Sequence, residues 1–161
     1  MQSSILVGLD KKNNFWIKLV GDVRLPWCIS LDTYCEKVIK QPGLKKVYID
    51  LTDTDNIDST TLGVLAKISN YSRKFCGNLP ILISINDDID RLIISTGLTS
   101  IFEIKKDFNI NPDLFDNLPV VSSSDEEIKK SVIDAHEKLM ELTKDNQLKF
   151  KSLVDYLNKS R

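Results

Sequence analysis

KKVYIDLTDTDNIDSTTLG, residues 45–63, places a buried strand, an acidic loop and the start of a helix next to one another. Its first seven residues form a nearly continuous run of β-branched and apolar side chains, typical of a strand covered on both faces. The polar segment Thr52 to Asn56 is predicted to be a loop. A helix is predicted from Ser59 to about Phe75, where Gly77-Asn78 ends it.

Strands and helices alternate on both sides of this stretch. A hairpin of two strands and a helix precede it, and a strand, a helix and a last short strand follow it. This alternation predicts an α/β fold with a mixed, largely parallel sheet packed by helices. The elements predicted outside the stretch are strands at 5–9, 15–20, 79–85 and 101–104 and helices at about 30–41 and 87–96.

Polar residues and glycines predict where several elements begin and end. Gly21-Asp22 is expected to end the hairpin. Ser30 is the expected N-cap of the first helix, and Asp87 or Asp88 that of the third, which Gly97 closes. At the second helix, Asp58 or Ser59 can accept hydrogen bonds from the free N–H groups of the first turn.

The last third of the chain differs in composition. Residues 107–123 hold two prolines, several Asn and Asp and a run of serines, which predicts a linker or an irregular wrap. Ser124 and Glu127 then form a capping box. An apolar stripe follows at steps of four and three residues: Ile128, Val132, Ala135, Leu139 and Leu142.

Three segments are therefore predicted: a core at 1–106, a linker at 107–123 and a helical C-terminal extension at 124–161. The extension is expected to be one kinked helix or two short ones, because the stripe shifts near Asn146. Its apolar stripe is expected to be buried against a protein surface. Either it stabilises the core, or it binds a partner or forms a homodimer.

Composition narrows the classes of function. The 161 residues carry a net charge of −1, and their 22 basic residues form no stripe, which argues against nucleic-acid binding. Three cysteines and a single histidine give no metal-binding spacing, and reduced thiols are expected. No signal peptide or membrane span is evident. We expect a cytoplasmic protein with no metal, cofactor or membrane contact.

Hydroxyl groups and carboxylates crowd around the start of the second helix. Ser59, Thr60 and Thr61 are more hydroxyls than a cap needs, and they lie at the positive end of the helix dipole, where a phosphate is well tolerated. The neighbouring acids are Asp50, Asp53, Asp55 and Asp58. A phosphate would add about −1.5 to −2 charges to this acidic rim.

The second helix is apolar on more than one side. Leu62 lies on one side and Val64 on another. The excess apolar surface is either buried by neighbouring helices or forms a docking face near the hydroxyls. His136, on the extension, is interpreted as a surface residue. No nucleophile paired with a general base is evident, which argues against an enzyme.

These residues resemble the STAS domain, the family of bacterial anti-sigma factor antagonists. The family pattern is a strand ending in Asp-Leu, a short acidic loop, and Asp-Ser-Ser/Thr-Gly-Leu-Gly opening a helix. Here it reads Asp50-Leu51 and then IDSTTLG, residues 57–63, with Thr61 in place of the first glycine. A second motif, LIISTGLTSIF at 92–102, matches the family's late helix ending Thr-Gly-Leu and then Phe. The resemblance covers residues 5–106.

The resemblance implies a signalling protein that switches partners in bacterial transcription control. Ser59 would be phosphorylated by a partner that is both serine kinase and anti-sigma factor, the unphosphorylated form would bind that partner, and a serine phosphatase would reset the switch. The implied partner-binding residues are Asp58, Ser59, Thr60, Thr61, Leu62 and Val64. The alternative is a STAS module that binds a protein or ligand constitutively, with Ser59 only a cap.

Overall fold

Seven strands form one sheet in the computed structural model, which describes residues 2–107 and 114–160. The strands are β1 (Ser4–Leu9), β2 (Asn14–Val23), β3 (Lys46–Asp50), β4 (Thr54–Ile57), β5 (Ile81–Ile83), β6 (Glu103–Lys105) and β7 (Asp116–Asn117). The helices are α1 (Cys28–Ile39), α2 (Ser59–Tyr71), α3 (Asp87–Ser95), α4 (Asp125–Met140) and α5 (Lys144–Lys159).

The sheet is mixed and largely parallel, as predicted. Its strand order is β6-β5-β3-β2-β1-β7, and β4 pairs with β2 off this path. The pairs β2/β3, β3/β5, β5/β6 and β2/β4 are parallel, whereas β1 pairs antiparallel with both β2 and β7. Crossovers that contain helices join the parallel pairs, and the tight turn between β1 and β2 makes that pair antiparallel. β7 reaches β1 from a distant part of the sequence and adds to it antiparallel.

The main core lies between the sheet and the helices. Val47 and Ile49 of β3 are fully buried, while Tyr48 between them is half-buried. β3 is thus covered fully on one face and only in part on the other, where Tyr48 stacks on Trp16 with 4.1 Å between ring centroids. Leu114, beyond β6 in sequence, packs in this smaller cluster.

The segment expected to be a loop contains a strand. β2 does not end at Gly21 but bends there, with φ of 78° and a shift of register, and continues to Val23. Its extra length offers an edge to β4, since the Gly21 amide donates to the Asp53 carbonyl at 2.9 Å. The Thr54 hydroxyl adds a hydrogen bond to the Leu19 carbonyl at 2.7 Å.

Two of the expected helix caps are elsewhere. α1 begins at Cys28, and the buried Ser30 hydroxyl instead accepts a hydrogen bond from the Val121 amide at 3.0 Å. Asn86, rather than Asp87 or Asp88, caps α3 by accepting from the Asp88 amide. Gly97 adopts the left-handed conformation that closes this helix, as predicted.

The C-terminal extension consists of two helices that pack on the core. The capping box of Ser124 and Glu127 starts α4, and Thr143 caps α5. Ala135 and Leu139 of α4 and Phe150 of α5 are buried in the main core cluster. Part of the predicted linker, residues 108–113, lies outside the described residues. The part that follows them pairs with β1 as β7.

The second apolar face of α2 is covered within the chain, because α1 and α4 both pack on this helix. Val64 and Ile68 are fully buried as a result. In this conformation, neighbouring helices bury the apolar excess of α2. Across the described residues, none of the helices has the length and apolar character that crossing a bilayer would require.

We expect a chain ending at residue 110 to unfold cooperatively but at a lower temperature than the full chain. It keeps β1–β6 and α1–α3 and loses Ala135, Leu139 and Phe150 from the core. Thermal unfolding followed by circular dichroism measures the change. An insoluble or molten product would show instead that the extension completes the core.

Leu139→Ala should lower the free energy of unfolding by roughly 2–5 kcal/mol, because Leu139 is fully buried where α4 meets the core. Leu148→Ala is the matched control: Leu148 is 71% exposed on α5, and its loss should cost less than about 0.5 kcal/mol. Urea titration measures both. Equal effects would contradict the docked position of α4.

Candidate functional site

Asp58 is the N-cap of α2. Its backbone is extended, and its Oδ1 accepts hydrogen bonds from the Thr61 amide at 2.8 Å and the Thr61 hydroxyl at 2.6 Å. Its Oδ2 accepts from the Leu25 amide at 2.8 Å, which ties the turn before α1 to the start of α2. Ser59 is therefore the first residue inside the helix, and its hydroxyl is not used for capping.

The three neighbouring hydroxyl residues differ in exposure. Thr61 is fully buried and points inward, with its Oγ1 3.3 Å from the Cys28 sulfur and 3.4 Å from the Val23 carbonyl. Thr60 is 6% exposed, while Ser59 is half-buried. Because Thr61 points inward, its extra bulk relative to the family's glycine lies away from the Ser59 hydroxyl.

The Ser59 hydroxyl meets a histidine from the extension. Its Oγ lies 2.8 Å from Nε2 of His136, and Nδ1 of His136 lies 2.7 Å from the Val132 carbonyl. A carbonyl only accepts, so Nδ1 carries a proton, and in the neutral ring Nε2 accepts from Ser59. The ring contacts Phe150 edge-on, with 4.9 Å between ring centroids.

The expectation that His136 is a surface residue is wrong, since it is only 2% exposed. The statement that no nucleophile faces a general base must also be corrected. A sequence signal was present: His136 is four residues after Val132 and three before Leu139, two members of the apolar stripe of α4. Side chains at these positions share one face of the helix, here the face toward α2.

Gly63 sets the distance between α2 and α4. A Cβ atom at this position would lie 2.3 Å from the Ala135 carbonyl oxygen and 2.7 Å from the Ala135 Cβ. No side chain fits there without moving α4, so the motif glycine allows the two backbones to approach. The sequence showed Gly63 as part of the family pattern, but nothing near it indicated which segment packs against it.

The second family motif is also in contact with the extension. The Asn146 side chain, 3% exposed, donates to the Thr96 carbonyl at 2.9 Å and to the Leu139 carbonyl at 2.7 Å. A Cβ on Gly97 would lie 2.6 Å from the Thr143 methyl group. The connection between α4 and α5 is thus fixed at the end of α3.

The remaining residues of the expected partner site lie beneath the surface. Leu62 is 3% exposed and Val64 is fully buried. In this conformation, Thr60, Thr61, Leu62 and Val64 support the start of α2 from below. Asp58 and Ser59 are the members of the set with substantial exposure.

The acidic rim is weaker than the sequence suggested. Asp50 is fully buried and accepts from the Thr52 amide, with Lys18 Nζ 3.8 Å from its Oδ2. Asp53 pairs with the same lysine at 2.8 Å. Asp55 and the half-buried Asp58 remain as acids near the helix start.

Two of the cysteines, Cys28 and Cys35, are fully buried. Burial raises the pKa of the Cys28 thiol to about 12, and burial also raises the pKa of Cys35, so both stay protonated and weakly nucleophilic at neutral pH. Within residues 2–107 and 114–160, His, Cys, Asp and Glu side chains form no group of three or more that could hold a metal ion.

Comparison with a solved structure supports the fold. The chain is similar to a structure described as the anti-sigma factor antagonist SpoIIAA in its unphosphorylated form, with a TM-score of 0.55 and 11% sequence identity over 65% of this chain and 90% of that chain. A weaker similarity, with a TM-score of 0.48 and 15% identity, is to an uncharacterized DUF3478-family protein from Shewanella loihica PV-4 with a SpoIIAA-like fold. It covers 71% of this chain and 93% of that chain.

Sequence comparison gives the family directly. No curated protein matches the chain significantly. The sequence profile of the STAS domain, however, matches residues 11–111, well over half of the chain and all elements from β2 to β6. On this match, and with the fold that accompanies it, the chain belongs to the STAS domain family.

Proposed function

We propose that this protein is an anti-sigma factor antagonist-like signalling protein that switches partners through reversible phosphorylation of Ser59. The carrying observation is that Asp58 caps α2, which leaves the half-buried Ser59 hydroxyl at the helix N-terminus with no capping role. The unphosphorylated form binds a regulator that combines serine kinase and anti-sigma activity, and a serine phosphatase resets it. On this proposal the protein acts by binding and not by catalysis.

The local electrostatics suit such a switch. The amides of the first helical turn lack intrahelical partners, and the dipole favours an anion there. A phosphate on Ser59 adds about −1.5 to −2 charges next to the Asp58 carboxylate. The modification therefore changes the field of this surface strongly, while the fold keeps its cap on Asp58.

Family membership supports the proposal, as does the similar structure described as an antagonist in its unphosphorylated form. We extend that protein's class of partners to this chain, together with a bacterial, cytoplasmic setting. Asp58 and Ser59 would contact the partner directly. Thr60, Thr61, Leu62 and Val64 would hold the first turns of α2 in place beneath them.

The alternative is a STAS module that binds a protein or ligand constitutively. The capping role that this alternative gave to Ser59 belongs to Asp58, which supports the switch hypothesis. Constitutive binding would leave the chain unmodified in its native cell.

Ser59→Ala should still bind the partner and resist kinase-dependent release. Ser59→Asp should bind more weakly, by roughly 1–3 kcal/mol, the usual size of a switch coupling. Partner capture with each variant, followed by titration of the captured protein, measures the difference. Thr60→Ser is the matched control, since it keeps a hydroxyl at the neighbouring position.

Intact-mass measurement of the native chain should show a species heavier by one phosphate, and phosphopeptide mapping should place it on Ser59. A phosphate found only on Thr60 or Thr61 would overturn the assignment. Native protein that stays unmodified under all growth conditions would favour the constitutive alternative.

A second candidate function, a serine hydrolase-like activity, comes from the 2.8 Å contact between Ser59 and His136. A backbone carbonyl instead of a carboxylate orients the histidine. We expect a fluorophosphonate probe to leave Ser59 unlabelled, with a known serine hydrolase as positive control. Labelling of wild type that is lost in His136→Gln would establish an activated serine and overturn the non-catalytic proposal.

A further inference from the structure

The helical extension, defined as α4 and α5, lies over both motifs of the family resemblance. α4 reaches the first motif through Ala135 and His136. Thr143, the N-cap of α5, and Asn146, in its first turn, reach the second motif. The STAS profile match ends at residue 111, before α4 begins. A segment outside the matched module thus covers the surface where the proposed function places the partner.

The seam between α4 and the core is only partly closed. Of the 16 residues of α4, Ala135, His136 and Leu139 are buried, whereas the apolar residues Ile128, Val132, Ile133 and Met140 are half-buried. Two clefts of about 240 and 260 Å³ run along the seam, and both are lined by Lys67 of α2 and Asp134 of α4. Charged groups at open clefts keep much of their hydration whether or not α4 is docked, so they add little to holding it.

The Lys67 ammonium is already committed to the core. It lies 2.5 Å from an Asp32 carboxylate oxygen, and the Tyr71 hydroxyl donates to the other oxygen of Asp32 at 2.6 Å. Its main ion pair therefore joins α1 to α2 and survives if α4 leaves. The α1 and α2 side chains beneath α4 therefore keep these contacts in the absence of α4.

Docked α4 limits access to the Ser59 hydroxyl. The His136 ring nitrogen lies 2.8 Å from the hydroxyl oxygen, so a phosphate on Ser59 has to displace the ring or turn the serine side chain outward. A partner that approaches Gly63 meets the Ala135 backbone. This backbone is so close that a Cβ atom at position 63 would lie only 2.3 Å from its carbonyl oxygen. Partner, kinase and α4 would therefore all need the same few residues of α2.

We propose that α4 and α5 form a releasable cover that competes, within the chain, for the Ser59 face, defined as the α2 surface at Ser59 and Gly63. That the excluded molecules are the kinase and the partner rests on the proposed function. A partner binds only molecules in which the cover is released. The apparent dissociation constant is therefore the intrinsic constant divided by the fraction of released molecules. A partner that replaces α4 presents a helix with a small residue opposite Gly63.

Hydrogen–deuterium exchange of the full chain tests the cover. Ala135→Leu and Gly63→Ala each place side-chain atoms in the tight crossing, from opposite sides. Both should raise amide exchange in α4 by about tenfold or more while β2 and β3 keep their protection. Lys151→Leu, which adds a leucine at an exposed position of α5, is the control and should leave exchange unchanged.

A peptide of residues 124–160, added to the full chain, tests whether the face can be occupied again. It should bind the Ala135→Leu chain with 1:1 stoichiometry and the wild-type chain at least about tenfold more weakly, because wild type carries its own α4 on that face. The same peptide with Ala135→Leu should fail to bind. Fluorescence anisotropy of labelled peptide measures all three.

Either of two results would overturn the cover. Exchange that rises in β2 and β3 together with α4 would make the extension an integral part of the core. Equal peptide binding by opened and wild-type chains, or none to either, would show that the Ser59 face is not a competed surface. Neither measurement involves a phosphate or a cellular partner, so an unmodified Ser59 would refute the proposed function and leave this inference standing.

Discussion

One carboxylate fixes the start of α2 and, through it, the whole candidate site. Asp58 accepts from the Thr61 amide and hydroxyl with one oxygen and from the Leu25 amide with the other. Such a cap contributes roughly 0.5–2 kcal/mol, and the link to Leu25 holds two segments 33 residues apart. Because Asp58 caps the first turn, the Ser59 hydroxyl is not needed as a cap and can instead contact His136. The same arrangement turns Thr61 inward and brings Ser59 within reach of α4.

A second constraint is the close approach of two helices at Gly63. Glycine inside a helix costs about 0.5–1 kcal/mol relative to alanine, yet alanine would place its Cβ 2.3 Å from the Ala135 carbonyl oxygen. Gly63 therefore lowers the intrinsic stability of α2 but allows α4 to pack close to it. This proximity lets His136 reach Ser59, and it makes the Ser59 face a site that holds one helix at a time. The Asp58 cap and the close approach at Gly63 together place the Ser59 hydroxyl against α4, so a modification of Ser59 and the position of α4 affect each other.

Several features followed from local sequence, and the failures share one cause. The strand that ends at Asp50, the start of α2 at Ser59, the closure of α3 at Gly97 and the capping box at Ser124 were correctly predicted, because each depends on residues within a few positions. β4 was missed because its two central residues are exposed and it exists only through the edge that β2 offers beyond Gly21. The first helix cap was misplaced because the Ser30 hydroxyl accepts from an amide 91 residues away.

By itself, the sequence determined the α/β class, the STAS pattern and the placing of a serine at the start of α2. Periodicity, capping chemistry and motif spacing are short-range properties, so they can be read without a fold. Only the tertiary structure decided that Asp58 is the cap, that Thr61 is buried and that His136 meets Ser59 across 77 residues of sequence. The physical reason is that burial and hydrogen bonding between distant segments depend on how closely backbones approach. Here one missing Cβ, at Gly63, sets that distance.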